Sequence, residues 1–136
     1  MADSEIQVTF PGGLRVDALY RGFTIQTDQP VYSGGQESAP APFDLFLASL
    51  ATCAGYYVLA FCRQRQIPTE GLALTMRTEK DAATKMIGRI AIDIALPNGF
   101  PERYKDAAVR AAEMCAVKAH LQKPPLMEVR AEIRPA

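Results

Sequence analysis

From Leu45 to Cys62 the chain carries no charged residue. Pro42 suits the first turn of a helix, where its missing N–H is no loss, and Asp44 favours the positive end of the helix dipole. Ile67-Pro68 ends the pattern, because the residue before a proline is steered out of the helical region. These signals predict one long helix over 42–66 that is apolar or small on every face. Such a helix must be covered all round. A single sheet covers only one side, so the rest must come from the other helix or from a second subunit, and a two-fold homodimer is expected.

The segments before the helix read as strands. Ile6, Val8 and Phe10 alternate with polar residues, as do Leu14, Val16, Ala18 and Tyr20, the period of a half-buried strand. Phe23 to Thr27 is a third strand. Pro11-Gly12-Gly13 and Arg21-Gly22 punctuate them, and connections this short make an antiparallel meander. Residues 28–42 form a loop rich in Pro, Gly and Ser, of a length that often carries function. Beyond the helix, Leu72, Leu74 and Met76, then Ile90, Ile92, Ile94 and Leu96, give two more strands around a turn at Asp81-Ala82-Ala83. A second helix is expected from Pro101. Ala108, Ala111, Ala112 and Cys115 form its apolar stripe, and their small size suits close packing against the long helix. The pattern can restart near Cys115 and run to Gln122. Lys123-Pro124-Pro125 stops it, and Met127, Val129, Ala131 and Ile133 predict a last strand. The order is βββ-α-ββ-α-β, an α+β class with antiparallel strands packed against helices, in a single domain over 1–136.

At 136 residues with 49% hydrophobic and 22% charged residues, the chain is neither disordered nor a disulfide-dense mini-protein. Fifteen basic residues balance fifteen acidic ones, so no nucleic-acid partner is expected. No stretch is read as a membrane span, and no membrane partner is expected. The polar start, Met1 to Glu5, lacks the features of a secretory signal, which makes the cytoplasm the expected location. There Cys53, Cys62 and Cys115 would be reduced at rest. With one histidine and no CxxC pair, no metal site is expected.

The candidate chemistry lies in the cysteines, although cysteine is also among the most commonly buried side chains. Cys62 falls about 180° round the helix from Cys53 and is read as structural. Cys115 has Glu113, Lys118 and His120 near it, and a helix restarting there would favour its thiolate through the dipole. His120 is read as a surface residue or dipole partner, and Tyr56 and Tyr57 as packing residues.

Ser38-Ala39-Pro40-Ala41-Pro42-Phe43-Asp44-Leu45, running on to Ala51-Thr52-Cys53, resembles the signature of the OsmC/Ohr family. Cys115-Ala116-Val117-Lys118-Ala119-His120-Leu121, followed by Pro124-Pro125, is similar to the family's second-cysteine segment. The element order and the Thr27-Asp28-Gln29-Pro30 to Gly34-Gly35 stretch match as well. The resemblance implies an intertwined dimer, with antiparallel sheets around two central helices. It also implies a thiol peroxidase for organic hydroperoxides. In that reading Cys53 is the peroxidatic thiol, Cys115 the resolving one, and an external dithiol the reductant, with no cofactor. The family's arginine that stabilises the thiolate maps best onto Arg15, with Arg21 next. Phe43 stands where the Ohr branch has a glutamate holding that arginine, and Asp44 points about 100° further round the helix. That departure favours the broader OsmC-like branch. Two other readings share the fold: a non-catalytic module binding a small apolar ligand at the dimer interface, and a thiol redox sensor.

Overall fold

The computed structural model describes residues 4–135, so the Met1–Asp3 part of the polar start lies outside the described residues. The chain divides into two compact units, Met1–Ser49 and Leu50–Ala136. The first is the predicted meander: β1 (Gln7–Gly12), β2 (Arg15–Tyr20) and β3 (Phe23–Thr27), antiparallel in the order β1-β2-β3. Arg21 and Gly22 both have positive φ, 49° and 83°, between the paired Tyr20 and Phe23. This is the two-residue hairpin turn whose twist matches the strands. The register sets Val8 opposite Ala18 and Ala18 opposite Ile25, so one face of the sheet is apolar. Val8, Phe23 and Ile25 on that face are exposed.

The loop that follows is ordered by Asp28. Its carboxylate accepts hydrogen bonds from the Gln29 N–H (2.7 Å), the Ser38 N–H (3.1 Å) and the Ser38 hydroxyl (2.6 Å). Those bonds, with the Ser38 hydroxyl first, hold the Asp28 carboxyl down to about 2. Gly35 packs so tightly here that a Cβ would lie 2.1 Å from the Gln29 carbonyl oxygen.

α1 (Pro42–Gln64) follows, and Asp44 accepts the Ala41 N–H at 2.9 Å to cap its start. It stops two residues before the predicted limit. Gln66 turns left-handed, with φ 56°, and the Ile67 N–H closes on the Cys62 carbonyl at 2.9 Å. The expectation that no stretch reaches a membrane span needs correction. By length and composition α1 qualifies, with mean hydropathy 1.8 over its most apolar window. Its packing explains this in a different way: the C-terminal half of α1 is a core element of the second unit.

In that unit β4 (Ala73–Lys80) and β5 (Ile87–Ala95) form an antiparallel hairpin. The second helical stretch comes in three pieces, with the expected restart near Cys115. A single 3₁₀ turn at Glu102–Tyr104 leads into α2 (Lys105–Ala112), and after a break α3 runs over Ala116–Gln122. Phe61 and Cys62 of α1 pack with Ala108 and Ala111 of α2, and Phe61 meets Tyr104 edge-to-face at 5.9 Å. The small residues of α2 are what let the two helices approach. The expected last strand does not form: residues 124–135 carry neither helix nor strand, and Val129 and Ile133 are 94% and 100% exposed. Alternation marks the two faces of a strand, but a strand also needs an edge to pair with, and this segment pairs with none of the described strands.

Candidate functional site

Cys53 sits about three turns into α1, and Cys115 occupies the residue just before α3. Phe61 meets Tyr104 just ahead of α2, while Cys53, two turns earlier in α1, lies beside Cys115 after α2, so the two helices run antiparallel and the break after α2 falls level with Cys53. Cys115 is 4% exposed and Cys53 half-buried, and all three cysteines are unbridged. Burial alone would push the Cys53 thiol up. Hydrogen bonds from the Cys115 side chain and from the backbone N–H groups of Ala116 and Val117 outweigh it, and the thiol lies below its ordinary value. The dipole expected to act on Cys115 therefore acts on Cys53. The first free N–H groups of α3 are donated across to the α1 sulfur, an interaction that local sequence cannot show.

Cys62 is fully buried between the helices, and burial pushes its thiol up, the Arg65 charge offsetting part of the effect. Its environment suits an inert thiol. The His120 Nδ1–H donates to the Ala116 carbonyl at 2.7 Å, so the ring is tied to its own helix.

The structure brings Cys53 and Cys115 together. Arg15 belongs to the first unit. It opens β2, and its guanidinium lies 3.6 Å from the carboxylate of Asp17, which is 8% exposed and whose Oδ1 has no hydrogen-bond partner among the described residues. Arg21 is spent on the hairpin turn, over the Tyr20 ring at 5.8 Å. Asp44 is spent on the helix cap. Phe43 stacks with Phe46, ring centres 5.4 Å apart.

Beside Cys115 lies an apolar cavity of about 290 Å³. Leu50 and Ala54 of α1, Ile92 of β5, Val109 of α2 and Leu121 of α3 line it, and a Glu113–Lys118 ion pair at 3.9 Å stands among the lining residues. The sequence singled out the cysteines but not this cavity, because its walls come from four elements whose packing no local pattern encodes. Among the described residues no cluster of His, Cys, Asp and Glu could hold a metal ion.

The arrangement is a thiol activated by a second thiol and two backbone donors, next to an apolar space. No curated protein matches the chain. Among solved structures, it is similar to a protein named for an osmotic stress induced and detoxification response in Psychrobacter arcticus 273-4. That match has 24% identity and a TM-score of 0.73, covering 88% of each chain. It is also similar to an OsmC-like protein from Mycoplasma pneumoniae, at 15% identity and TM-score 0.69, covering 90% of this chain and 89% of that one. An organic hydroperoxide resistance protein OsmC from Legionella pneumophila matches at 18% identity and TM-score 0.56, covering 90% of each. At these identities the structures speak to fold alone. The family model described as OsmC-like protein matches residues 34–130, the span holding the end of the loop, both thiols and the cavity, and the chain belongs to the OsmC-like family.

Proposed function

We propose that the chain is a thiol-dependent peroxidase that reduces organic hydroperoxides through a two-cysteine cycle, acting as one OsmC-like domain over residues 1–136. The observation that carries this reading is the Cys53 sulfur, held below the ordinary thiol range by the Cys115 side chain and two backbone N–H groups. The thiolate is the nucleophile in such chemistry. Cys53 attacks the terminal peroxide oxygen: the S–O bond forms, the O–O bond breaks, and the leaving alkoxide takes a proton to become the alcohol. The resulting sulfenic acid condenses with the Cys115 thiol, forming the S–S bond and releasing water. An external dithiol returns both thiols by exchange and leaves as its own disulfide. The cavity beside Cys115 suits the organic group of the peroxide. The name of the Legionella neighbour agrees with this substrate class. Arg15 enters on the resemblance alone, as the cation favouring the thiolate.

A homodimer belongs to the same proposal. The exposed apolar face of the β1-β2-β3 sheet needs cover. The unpaired segment 124–135 has the alternation of a strand, and an edge on a second copy would complete it. The cytoplasm, which keeps resting thiols reduced, is the proposed location. The test is hydroperoxide consumption with dithiothreitol as reductant. Cys53→Ser is expected to fall to the background rate and Cys62→Ser to retain the wild-type rate. A Cys53→Ser protein as fast as wild type would overturn the reading.

A further inference from the structure

We infer that Ala112 sets the size of the peroxide admitted by the cavity beside Cys115, and that this peroxide carries a compact, uncharged aryl or branched alkyl body rather than a long chain. The inference rests on the peroxidase reading and adds a specificity to it. Every wall of the cavity belongs to the second unit. Its floor is the buried stripe of α1: Leu50 is 7% and Ala54 1% exposed, and the stripe continues through Val58, Phe61 and Cys62. The exposed Tyr56 and Leu59 mark the face of α1 that a second copy would cover. They lie roughly 160° and 140° round the helix from Ala54. Covering that face therefore leaves the cavity as it is.

At roughly 30 Å³ per water, 290 Å³ is the space of on the order of ten waters, and of about as many carbon atoms. A cumyl group fits that space and an octadecenoyl chain exceeds it. Ile92, Val109 and Leu121 make its sides apolar. The charged lining residues, Glu113 and Lys118, are exposed at the rim and pair with each other, so they offer an ionic substrate group no free partner. Cys115 is itself a lining residue and is hydrogen-bonded to the Cys53 sulfur. A body seated here therefore keeps its peroxide group within one side chain of that sulfur. The smallest side chains in the lining are Ala54, sunk in the floor, and Ala112, half-buried in the wall at the end of α2. A leucine at 112 adds three carbons and takes the space of about three of those waters. At a half-buried position it does so without overpacking the core.

The test is turnover with dithiothreitol on cumene hydroperoxide, tert-butyl hydroperoxide, linoleic acid hydroperoxide and the methyl ester of the last. Wild type is expected to show a kcat/KM about tenfold or more higher for cumene hydroperoxide than for either long-chain peroxide, a ratio in the range set by a misfit in an apolar pocket. Ala112→Leu is expected to lower the cumene to tert-butyl ratio about tenfold, and Ile92→Ala to raise the long-chain to cumene ratio about tenfold. Lost packing alone would slow all four substrates together, and unchanged ratios would overturn the inference. Long-chain peroxides turned over as fast as cumene hydroperoxide would do the same. Binding of the product alcohol, 2-phenyl-2-propanol, to the reduced protein needs no turnover. In an NMR titration it is expected to shift the methyl signals of Ile92, Val109 and Leu121, and to bind Ala112→Leu about tenfold more weakly. Shifts elsewhere, equal binding by the variant, or no binding because a second copy fills the cavity would each overturn the inference. If Ile92→Ala does not fold, Ala112→Leu and the alcohol still decide. A wild type that binds the alcohol in this way but consumes no peroxide would sink the peroxidase reading and still support the size limit, so the two fail separately.

Discussion

The Cys53 sulfur is stabilised as an anion by donors that lie sixty residues further along the chain. Its thiolate fraction should therefore persist to lower pH than that of an ordinary cysteine, while burial moves Cys62 the other way. Alkylation by iodoacetamide, followed residue by residue with mass spectrometry as pH is raised, is expected to switch on first at Cys53. In Cys115→Ser, which replaces the donor with a hydroxyl, the midpoint should move without disappearing, because the Ala116 and Val117 N–H groups remain. A Cys53 profile matching that of a free thiol would show that these donors do not hold it. The thiol pair was legible in the sequence as two motifs. The direction of the activation was not, since the α3 dipole reads locally as a property of Cys115 and becomes a property of Cys53 only once α1 and α2 pack antiparallel. Arg15 remains a residue of β2 paired with Asp17, and its part in the chemistry rests on the resemblance.

At the scale of elements, each of the two units has a local device that orders it. The Asp28 carboxylate gathers the loop ahead of α1 through three hydrogen bonds. Because its folded pKa, about 2, is below the ordinary carboxyl value of 3.8, its contribution to stability is fully present above about pH 4 and is lost as pH falls through about 2. Asp28→Asn is expected to lower the Tm at neutral pH and to converge with wild type near pH 2; equal melting curves at neutral pH would contradict this role. The second device is the α1–α2 contact at Phe61. Phe61→Ala is expected to cost about 3–5 kcal/mol in urea denaturation, a buried aromatic truncated beside close-packed alanines. A loss below about 1 kcal/mol would mean that the helix pair is not the core of this unit. The strands and α1 were legible because their periods are local. The restart at Cys115 was legible too, and what was not is that α2 already ends at Ala112, because the Ala108–Cys115 stripe reads as one continuous face.

For the whole molecule, the proposed homodimer is supported by an apolar helix, a half-exposed apolar sheet face and an unpaired strand-like tail. The missing last strand shows how far a sequence reads: Met127 to Ile133 displays the alternation, yet the segment pairs with no strand among the described residues. Deleting residues 126–136 is expected to shift the protein towards monomer in analytical ultracentrifugation, and Val129→Asp with Ile133→Asp should do the same. A truncated chain that sediments like the full one would remove the tail from the interface. The central claim, a redox-active pair built from Cys53 and Cys115, is tested most directly by counting free thiols before and after a few equivalents of an organic hydroperoxide, with peptide mapping of any crosslink. The account predicts the loss of two thiols per chain and a Cys53–Cys115 disulfide, with Cys62 left free. Three thiols surviving beside unconsumed peroxide would contradict it.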